Sequence, residues 1–327
     1  MPCTVNACFD KFNKEVVNLD ANQVPKAITS RNALIGSMHS LSNRGLIPTS
    51  YSEKDIAFGS FARKTKIRPL DDIDLMICFT GCGGTWNHIP GSDSLSISMP
   101  ATAPVLSDFR NEDGTLNSRK LIENIKSNLK EVGYYKSAEL HRNQEAVTLQ
   151  LSSYDWNFDI VPCFFATGDF YLIPDGNGNW KKTDPRIDQN RTTSINQAHD
   201  GKVLQLIRTM KYWKSIWWPC VSSYMFEQMI LTCANFMEFN IPFSQQVCAV
   251  LSYLENAIMG AVADPKQMQG DLNTLDAATR STLSSRASRC FTIANDARIF
   301  EIMAENNESA INEWRKVFGN EFPEYGK

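Results

Sequence analysis

Two aspartates, Asp72 and Asp74, stand one residue apart at the start of an apolar stretch, where their carboxylates could bind a metal ion. On a β-strand, residues two apart face the same side, so both carboxylates project together while Ile73 and Leu75 face the opposite side. Two carboxylates held side by side repel each other unless a cation lies between them, and all-oxygen ligation at this spacing suits Mg²⁺ or Mn²⁺. The sequence therefore predicts a metal site here, with Asp71 as a strand-entry residue outside it.

A glycine and a serine upstream of this strand, Gly59 and Ser60, predict a phosphate-binding turn. Glycine has no side chain, so a polyanion can approach the backbone, and Ser60 offers a hydroxyl and an N–H near a predicted helix start. Eleven residues separate Ser60 from Asp72. Four residues in this interval are basic and could neutralise a triphosphate: Arg63, Lys64, Lys66 and Arg68.

A third aspartate, Asp159, lies far downstream in the apolar stretch NFDIVP. Alone it would indicate only a polar residue at a strand end, and the pair Asp72 and Asp74 alone would be better explained as a solvated strand end. Together the three carboxylates are typical of two-metal phosphoryl transfer, in which one metal ion activates the attacking hydroxyl and the other holds the leaving pyrophosphate. The pattern predicts a nucleotidyltransferase that uses two Mg²⁺ ions, or Mn²⁺, in each active site.

The composition of the chain limits the functions that it can have. With 327 residues, 43% of them hydrophobic and 21% charged, the chain is typical of a folded globular protein with two lobes. The formal net charge of -3 argues against a protein that coats long nucleic acid. The nine cysteines are scattered without a C-x-x-C pair, which predicts reduced, mostly buried thiols. Because the N-terminal residues lack the pattern of a secretory signal and no apolar run could span a bilayer, we expect a cytoplasmic protein without a membrane partner.

Hydrophobic periodicity divides the chain into a mixed first half and a helical second half, which predicts an α+β fold. In the first half we expect two helices between Val5 and Ser42, a helix from Ser118, and a long loop or insertion over Thr80–Pro104. Further strands are expected within residues 146–151, 157–165 and 170–182. After Thr192 we expect helices at Lys202–Trp217, Ser223–Phe239, Ser244–Met259, Asp276–Ala304 and Glu308–Phe318.

The motifs of the chain resemble those of the bacterial cGAS/DncV-like nucleotidyltransferases, the CD-NTases of CBASS anti-phage signalling. The resemblance extends over nearly the whole chain and rests on GSFARKTKIRPLDDIDL, FDIVPCF, LIRTMKYWK, SSYMFEQM and WRKVFGNEFP. It implies a polymerase-β-like nucleotidyltransferase lobe with a mixed sheet and N-terminal helices, residues 1–191. It also implies an all-helical lobe of the oligoadenylate-synthase type, residues 192–327, that closes the nucleotide cleft. The implied product is a cyclic oligonucleotide second messenger.

The resemblance implies a role for each residue of the first motifs. Gly59 and Ser60 would hold the donor triphosphate. Asp72 and Asp74 would bind both Mg²⁺ ions. Asp159 would complete one metal site and help to activate the attacking ribose hydroxyl.

In the helical half the resemblance implies further nucleotide-binding residues. Lys211 matches a family lysine that reaches the donor phosphates, and Ser223 and Tyr224 match positions near the phosphates and base of the donor. Two alternatives stay open, because Lys211 could lie on a solvated helix face and Tyr224 could be a core aromatic. Lys64 stands where many relatives have glycine, which leaves open whether the backbone after the Gly-Ser step is the same.

The resemblance also implies partners. We expect ATP and GTP as substrates and a separate effector that binds the cyclic product. Enzymes that resemble ubiquitin-transfer proteins join some relatives to other molecules through a small C-terminal residue, whereas this sequence ends in EYGK with Lys327, so this partner stays open. Nothing matches the zinc-binding insertion of the animal DNA sensor, so we do not expect activation by long double-stranded DNA.

Three functions fit these residues. We favour a cyclic oligonucleotide synthase that releases pyrophosphate, with a purine cyclic dinucleotide such as cyclic GMP-AMP as its product. The alternative is a template-independent enzyme that adds linear RNA tails or forms linear oligoadenylate, because the same fold supports both. A catalytically inactive nucleotide-binding sensor or scaffold ranks below them, because Asp72, Asp74 and Asp159 are all present.

Overall fold

The computed structural model describes residues 2–327 and divides the chain into two compact units. The sheet unit contains residues 20–63 and 70–189. The helical unit contains the residues up to Leu19, the short segment Lys64–Pro69 and residues 190–327. Among residues 2–327, no helix has the length and apolar character needed to cross a membrane.

A mixed sheet forms the framework of the sheet unit. In the part of the chain that the structure describes, its nine strands are β1 (Ile56–Phe58), β2 (Asp72–Phe79), β3 (Thr85–His88), β4 (Leu95–Ser98), β5 (Glu139–Asn143), β6 (Ala146–Gln150), β7 (Asn157–Ala166), β8 (Phe170–Pro174) and β9 (Trp180–Thr183). The strand order is β1-β2-β7-β8-β9-β4-β3, and β6 pairs with both β7 and β5. Strands β2 and β7 run parallel, whereas β1 runs antiparallel to β2 and β6 antiparallel to β7.

The central strand β2 is buried beyond its polar first residues. In β2, Ile73 and Leu75 are buried and Asp72 and Asp74 are partly exposed, so the two faces alternate as the spacing predicts. From Met76 onward every residue of β2 is buried, which is typical of a central strand that is covered on both faces. The first residues of the strand are therefore the place where polar side chains on this face can meet solvent.

The helices are distributed over both units. They are α1 (Val5–Phe12), α2 (Gln23–Asn43), α3 (Gly59–Ala62), α4 (Ser118–Leu129), α5 (Pro185–Ala198), α6 (Val203–Trp217), α7 (Ser223–Ala234), α8 (Phe243–Ala257), α9 (Ala277–Ile302) and α10 (Asn307–Phe318). Helices α2, α3 and α4 belong to the sheet unit, and α1 and α6 to α10 belong to the helical unit. A side chain caps the start of several of them; for example, the Ser222 hydroxyl accepts the Met225 N–H at the start of α7.

The helical unit has an aromatic core. Phe9 of α1 makes edge contacts with Trp314, Phe318 and Phe322, whose ring centroids lie between 4.9 and 5.7 Å from its own. All four side chains are at most 1% exposed. Helix α1 is therefore an integral part of this core, and large edge-to-face aromatic contacts hold it there.

The structure confirms the α+β fold with a mixed sheet, and it corrects the prediction for Thr80–Pro104. That segment is not a long loop without regular structure, because β3 and β4 form an antiparallel hairpin within it. Three further elements escaped the sequence analysis, the strands β1 and β5 and the helix α5.

Candidate active site

Three carboxylates converge at the start of the two parallel strands. Asp74 of β2 and Asp159 of β7 are direct partners in the parallel register, and Asp72 precedes Asp74 on the same face. Each of the three offers a carboxylate oxygen, and these atoms all lie within 4.8 Å of one another. The three side chains are partly exposed, so an ion from solvent can reach them. Three like charges this close repel one another unless a cation lies between them.

A threonine that the sequence analysis missed fixes the third carboxylate. Thr148 of β6 is the register partner of Asp159, and its hydroxyl donates to Asp159 Oδ1 over 2.6 Å. A short hydrogen bond to an ionised acceptor is stronger than a neutral one. The orientation of Asp159 is therefore set by the strand beside it. The sequence signal was weak, because a lone threonine in an alternating strand is ordinary.

The position of the Asp74 carboxylate requires a glycine at residue 59, whether or not a ligand is bound. The glycine has a φ of 73°, which L side chains rarely adopt, and a Cβ built on it would lie 1.7 Å from Asp74 Oδ2. The carboxylate therefore occupies the space that a side chain would need. Ser60 follows in the single turn of α3 and is partly exposed.

Two of the basic residues after Ser60, Lys64 and Arg68, make backbone contacts that the sequence did not indicate. Arg68 donates from Nη1 to the Glu15 carbonyl over 2.8 Å and from Nε to the Asn18 carbonyl, so its guanidinium is held by backbone groups, and neutralisation of a triphosphate by its charge stays a prediction. Lys64 has a φ of 61°, a left-handed conformation that glycine adopts without strain. Its carbonyl accepts a hydrogen bond of 2.7 Å from Arg208 Nη1.

Lys211 lies in the interior of the helical unit. Its side chain is 6% exposed, which excludes a solvated helix face. The ammonium donates to the Thr65 carbonyl over 3.0 Å and lies 3.8 Å from Glu227 Oε2. Glu227 is fully buried and accepts the Thr65 hydroxyl over 2.8 Å. Lys211 and Glu227 thus hold the segment Lys64–Pro69 within the helical unit, and contact of Lys211 with donor phosphates stays a prediction.

Ser223 and Tyr224 lie in the first turn of α7. Ser223 is exposed and Tyr224 is partly exposed, so neither is a core residue. The Tyr224 hydroxyl donates to Asp264 Oδ1 over 3.0 Å, and Lys266 Nζ lies 3.1 Å from the same oxygen. Burial by itself would raise the pKa of Asp264, but the hydrogen bond and the charge of Lys266, together with further donors, outweigh it and lower the pKa below its ordinary value of 3.8.

Carboxylates gathered on a mixed sheet in this way serve phosphoryl transfer, and the class of protein that this sheet and triad define is the nucleotidyltransferases. Residues 86–196 match the family model described as the Second Messenger Oligonucleotide or Dinucleotide Synthetase domain (SMODS). A probable cyclic nucleotide synthase of Bacillus cereus strain VD146 is 45% identical over 329 aligned residues, which cover 98% of this chain and 98% of that protein. The chain belongs to the cGAS/DncV-like nucleotidyltransferases, the CD-NTases.

Two solved structures share the fold at low sequence identity. CdnC of E. coli MS115-1, solved with ATP, superposes with a TM-score of 0.70 at 16% identity and covers 97% of this chain and 98% of its own. The Vibrio cholerae cyclic AMP-GMP synthase DncV, in complex with nonhydrolyzable GTP, gives a TM-score of 0.61 at 14% identity. That match covers 83% of this chain and 70% of DncV.

Proposed function

We propose that this protein is a Mg²⁺-dependent nucleotidyltransferase that cyclises nucleoside triphosphates into a cyclic oligonucleotide and releases pyrophosphate. The observation that carries the proposal is the carboxylate triad of Asp72, Asp74 and Asp159, whose oxygens lie within 4.8 Å of one another. Membership of the CD-NTases supports the cyclic product. The sensor or scaffold alternative ranks lower, because Asp72, Asp74 and Asp159 are all present and converge.

The donor set of the triad fits Mg²⁺. All three residues offer hard carboxylate oxygens, which Mg²⁺ and Mn²⁺ prefer over softer ligands. Asp72, Asp74 and Asp159 would hold the ions. Bound there, the metal would favour deprotonation of the attacking ribose hydroxyl and neutralise charge on the leaving pyrophosphate.

The protein's own residues then orient the reactants. The Thr148 hydroxyl occupies Asp159 Oδ1 and so fixes the direction in which this carboxylate points. Gly59 lets the backbone lie against Asp74, and Ser60, the next residue, would contribute its hydroxyl and N–H to the donor phosphates. A site that holds its groups in place before the substrate arrives loses little free energy to reorganisation during the reaction.

Three residues of the helical unit would complete nucleotide binding. Tyr224 would stack on the donor base, Ser223 would contact the donor near its phosphates, and Lys211 would reach the phosphates. We propose residues 1–191 as the catalytic lobe and 192–327 as the helical lobe that closes over the nucleotides. ATP and GTP are the proposed substrates, and a purine cyclic dinucleotide such as cyclic GMP-AMP is the proposed product. The structures of CdnC with ATP and of DncV with nonhydrolyzable GTP support the choice of nucleotides.

The proposed setting is bacterial anti-phage defence. There the cyclic product would act on a separate effector protein, and enzymes that resemble ubiquitin-transfer proteins would regulate the synthase. We propose a cytoplasmic location, where nucleoside triphosphates are abundant.

A labelled-product assay tests the function. The purified chain is incubated with Mg²⁺ or Mn²⁺ and all four nucleoside triphosphates, each α-³²P-labelled in turn, and the products are treated with phosphatase and separated. We expect a phosphatase-resistant product whose retained labels identify its bases. The double variant Asp72→Ala/Asp74→Ala should make none of it. Asp71→Ala is the matched control, since this neighbouring carboxylate lies outside the triad and its variant should remain active.

The other outcomes separate the remaining functions. Ladders that are fully sensitive to phosphatase would identify a linear tailing or oligoadenylate-forming enzyme. Equal product from the double variant and the wild-type chain would refute the role of the triad. Mg²⁺ titration gives an independent check, because the ion should raise the Tm of the wild-type chain and leave that of the double variant unchanged.

A further inference from the structure

A buried ion pair in the connection between α8 and α9 holds the hydroxyl of Tyr224. The Tyr224 hydroxyl donates to Asp264 Oδ1 over 3.0 Å, and Lys266 Nζ donates to the same hydroxyl oxygen. Lys266 Nζ also lies 3.1 Å from Asp264 Oδ1, so the three groups close a ring of polar contacts. The Asp264 and Lys266 side chains are 0% and 4% exposed, whereas Tyr224 is partly exposed.

These contacts fix the tyrosine in one orientation. A tyrosine hydroxyl can donate one hydrogen bond, and Tyr224 donates it to Asp264. The ammonium of Lys266 donates a second hydrogen bond to a lone pair of the hydroxyl oxygen. Both roles of the hydroxyl are thus occupied. Because the oxygen lies on the rotation axis of the ring, holding it fixes the direction of that axis, and the preference of the hydroxyl proton for the ring plane couples the plane to the position of Asp264. The ammonium also lies 4.2 Å from the ring centroid, which adds a cation–π attraction.

The ion pair is itself anchored to the backbone. Asp264 Oδ2 accepts the N–H groups of Met268 and Gln269, each over 3.1 Å. Farther along, Asn273 Nδ2 donates to the carbonyls of Ile258 and Gly260 over 2.8 and 2.7 Å, which closes the base of the connection. The tyrosine is therefore held by a braced segment and not by a mobile side chain.

The chemistry of the pair points to a role beyond stability. Well-packed apolar residues stabilise an interior as well as or better than a buried ion pair does, so a charge pair is a poor device for stability alone. Its benefit is a defined geometry at the group that it contacts. Here that group is an aromatic ring in the first turn of α7, beside the exposed Ser223.

We propose that Asp264 and Lys266 are positioning residues that orient the Tyr224 ring for stacking on a purine or pyrimidine base. The inference rests on the proposed function, because it takes a nucleotide as the ligand of this part of the helical unit. Neither residue contacts the nucleotide; both act through the tyrosine hydroxyl. A ring held in advance binds a base with less loss of side-chain entropy than a ring that must be ordered on binding.

The test measures nucleotide affinity as well as turnover. Dissociation constants for nonhydrolysable analogues of ATP, GTP, CTP and UTP, which the enzyme cannot consume, are determined by calorimetry in the presence of Mg²⁺ for the full chain and for Tyr224→Phe, Lys266→Met and their double variant. For the nucleotide that binds most tightly, we expect each single variant to weaken binding about tenfold, the upper end of the loss when one side chain must be ordered on binding. The double variant should be no weaker than either single variant, because both remove the same restraint. In turnover assays KM should rise while kcat changes little.

Controls separate positioning from folding. Lys266→Met leaves the Asp264 carboxylate buried without its cation, so Asp264→Asn/Lys266→Met is made as well to remove both charges. It should fold and show the same loss of affinity. Lys202→Met is the matched control, since the Lys202 ammonium in the same unit binds Asn240 Oδ1 and the Phe239 carbonyl instead of the tyrosine. Its affinity should stay within about twofold of wild type.

Several results would overturn the inference. The first is that Asp264→Asn/Lys266→Met changes the Tm but leaves nucleotide affinity unchanged. The second is that Tyr224→Ala binds nucleotide as tightly as the wild-type chain. The third is that the wild-type chain binds no nucleotide. Additive losses in the double variant would overturn it too. A different result would refute the proposed function: the variants change nucleotide affinity as expected, but the wild-type chain makes no phosphatase-resistant product.

Discussion

Replacing Gly59 with alanine should displace the Asp74 carboxylate and nearly abolish catalysis. The added Cβ would lie 1.7 Å from Asp74 Oδ2, whereas real Cβ atoms essentially never come closer than 3.0 Å, so one of them must move by about 1.3 Å. A misplacement of about 1 Å in a reacting group costs about a hundredfold in rate. We therefore expect kcat of Gly59→Ala to fall by at least about a hundredfold, measured as phosphatase-resistant product per minute.

The chain contains a matched control for the backbone strain. Gly45 has a φ of 69°, close to the 73° of Gly59, and no heavy atom lies within 4 Å of a Cβ built there. Both alanine variants should lose about 1–2 kcal/mol of unfolding free energy from the left-handed conformation. Only Gly59→Ala should lose activity. Equal kcat in the two variants would refute the argument that Asp74 needs the space above Gly59.

Three further predictions concern neighbouring contacts. Thr148→Val should lower kcat about tenfold by releasing Asp159, and Thr148→Ser should restore it; a fully active valine variant would contradict this. Lys211→Met should lower the free energy of unfolding in urea by about 3 kcal/mol, because Glu227 loses its buried cation, and adding Glu227→Gln should recover part of the loss. Asp264 has a lowered pKa in the folded state, so its ionised form stabilises the fold above the unfolded value of 3.8. The difference in urea stability between wild type and Asp264→Asn should therefore be largest at neutral pH and shrink as the pH falls below 3.8; a constant difference would contradict the assignment.

Local sequence patterns were sufficient to predict the positions of Asp72 and Asp74 in the candidate site, but not those of Asp159 and Thr148 relative to them. The spacing of Asp72 and Asp74 placed both on one face of a strand, and the structure has them there. Their juxtaposition with Asp159 depends on the parallel register of β2 and β7, which joins residues far apart in sequence. The part played by Thr148 depends on a second such register, so periodicity could not show it.

The charge of a residue also says little about its partner. Arg68 looks the same in the sequence whether its guanidinium binds phosphate or backbone carbonyls, and only the tertiary structure shows that carbonyls of the helical unit accept its protons. The sequence analysis selected Gly59 because the missing side chain would let a polyanion approach, but the neighbour that needs this space is Asp74 of β2.

Strand β5 and helix α5, which the sequence analysis missed, have weak hydrophobic patterns. Strand β5 has only Leu140 as an apolar residue, because it pairs with β6 at the edge and most of its side chains are exposed. Helix α5 has few apolar residues, although Asp184 followed by Pro185 is a helix-start signal. In Thr80–Pro104 the many glycines and serines indicated a loop, although the short strands β3 and β4 pair there. Two strands of four residues can pair without a long alternation of apolar and polar residues.

The aromatic contacts of α1 bear on how the protein is made. Phe9 is synthesised about three hundred residues before Trp314, Phe318 and Phe322, which pack against it. At about 5–20 residues per second, the helix waits roughly 15–60 s for these partners. During that time its apolar face is a target for chaperones and for other nascent chains. Synthesis that stops before α10 leaves Phe9 covered only in part, by Phe243, so we expect chaperones and proteases to recognise an incomplete copy by residues that stabilise the complete one.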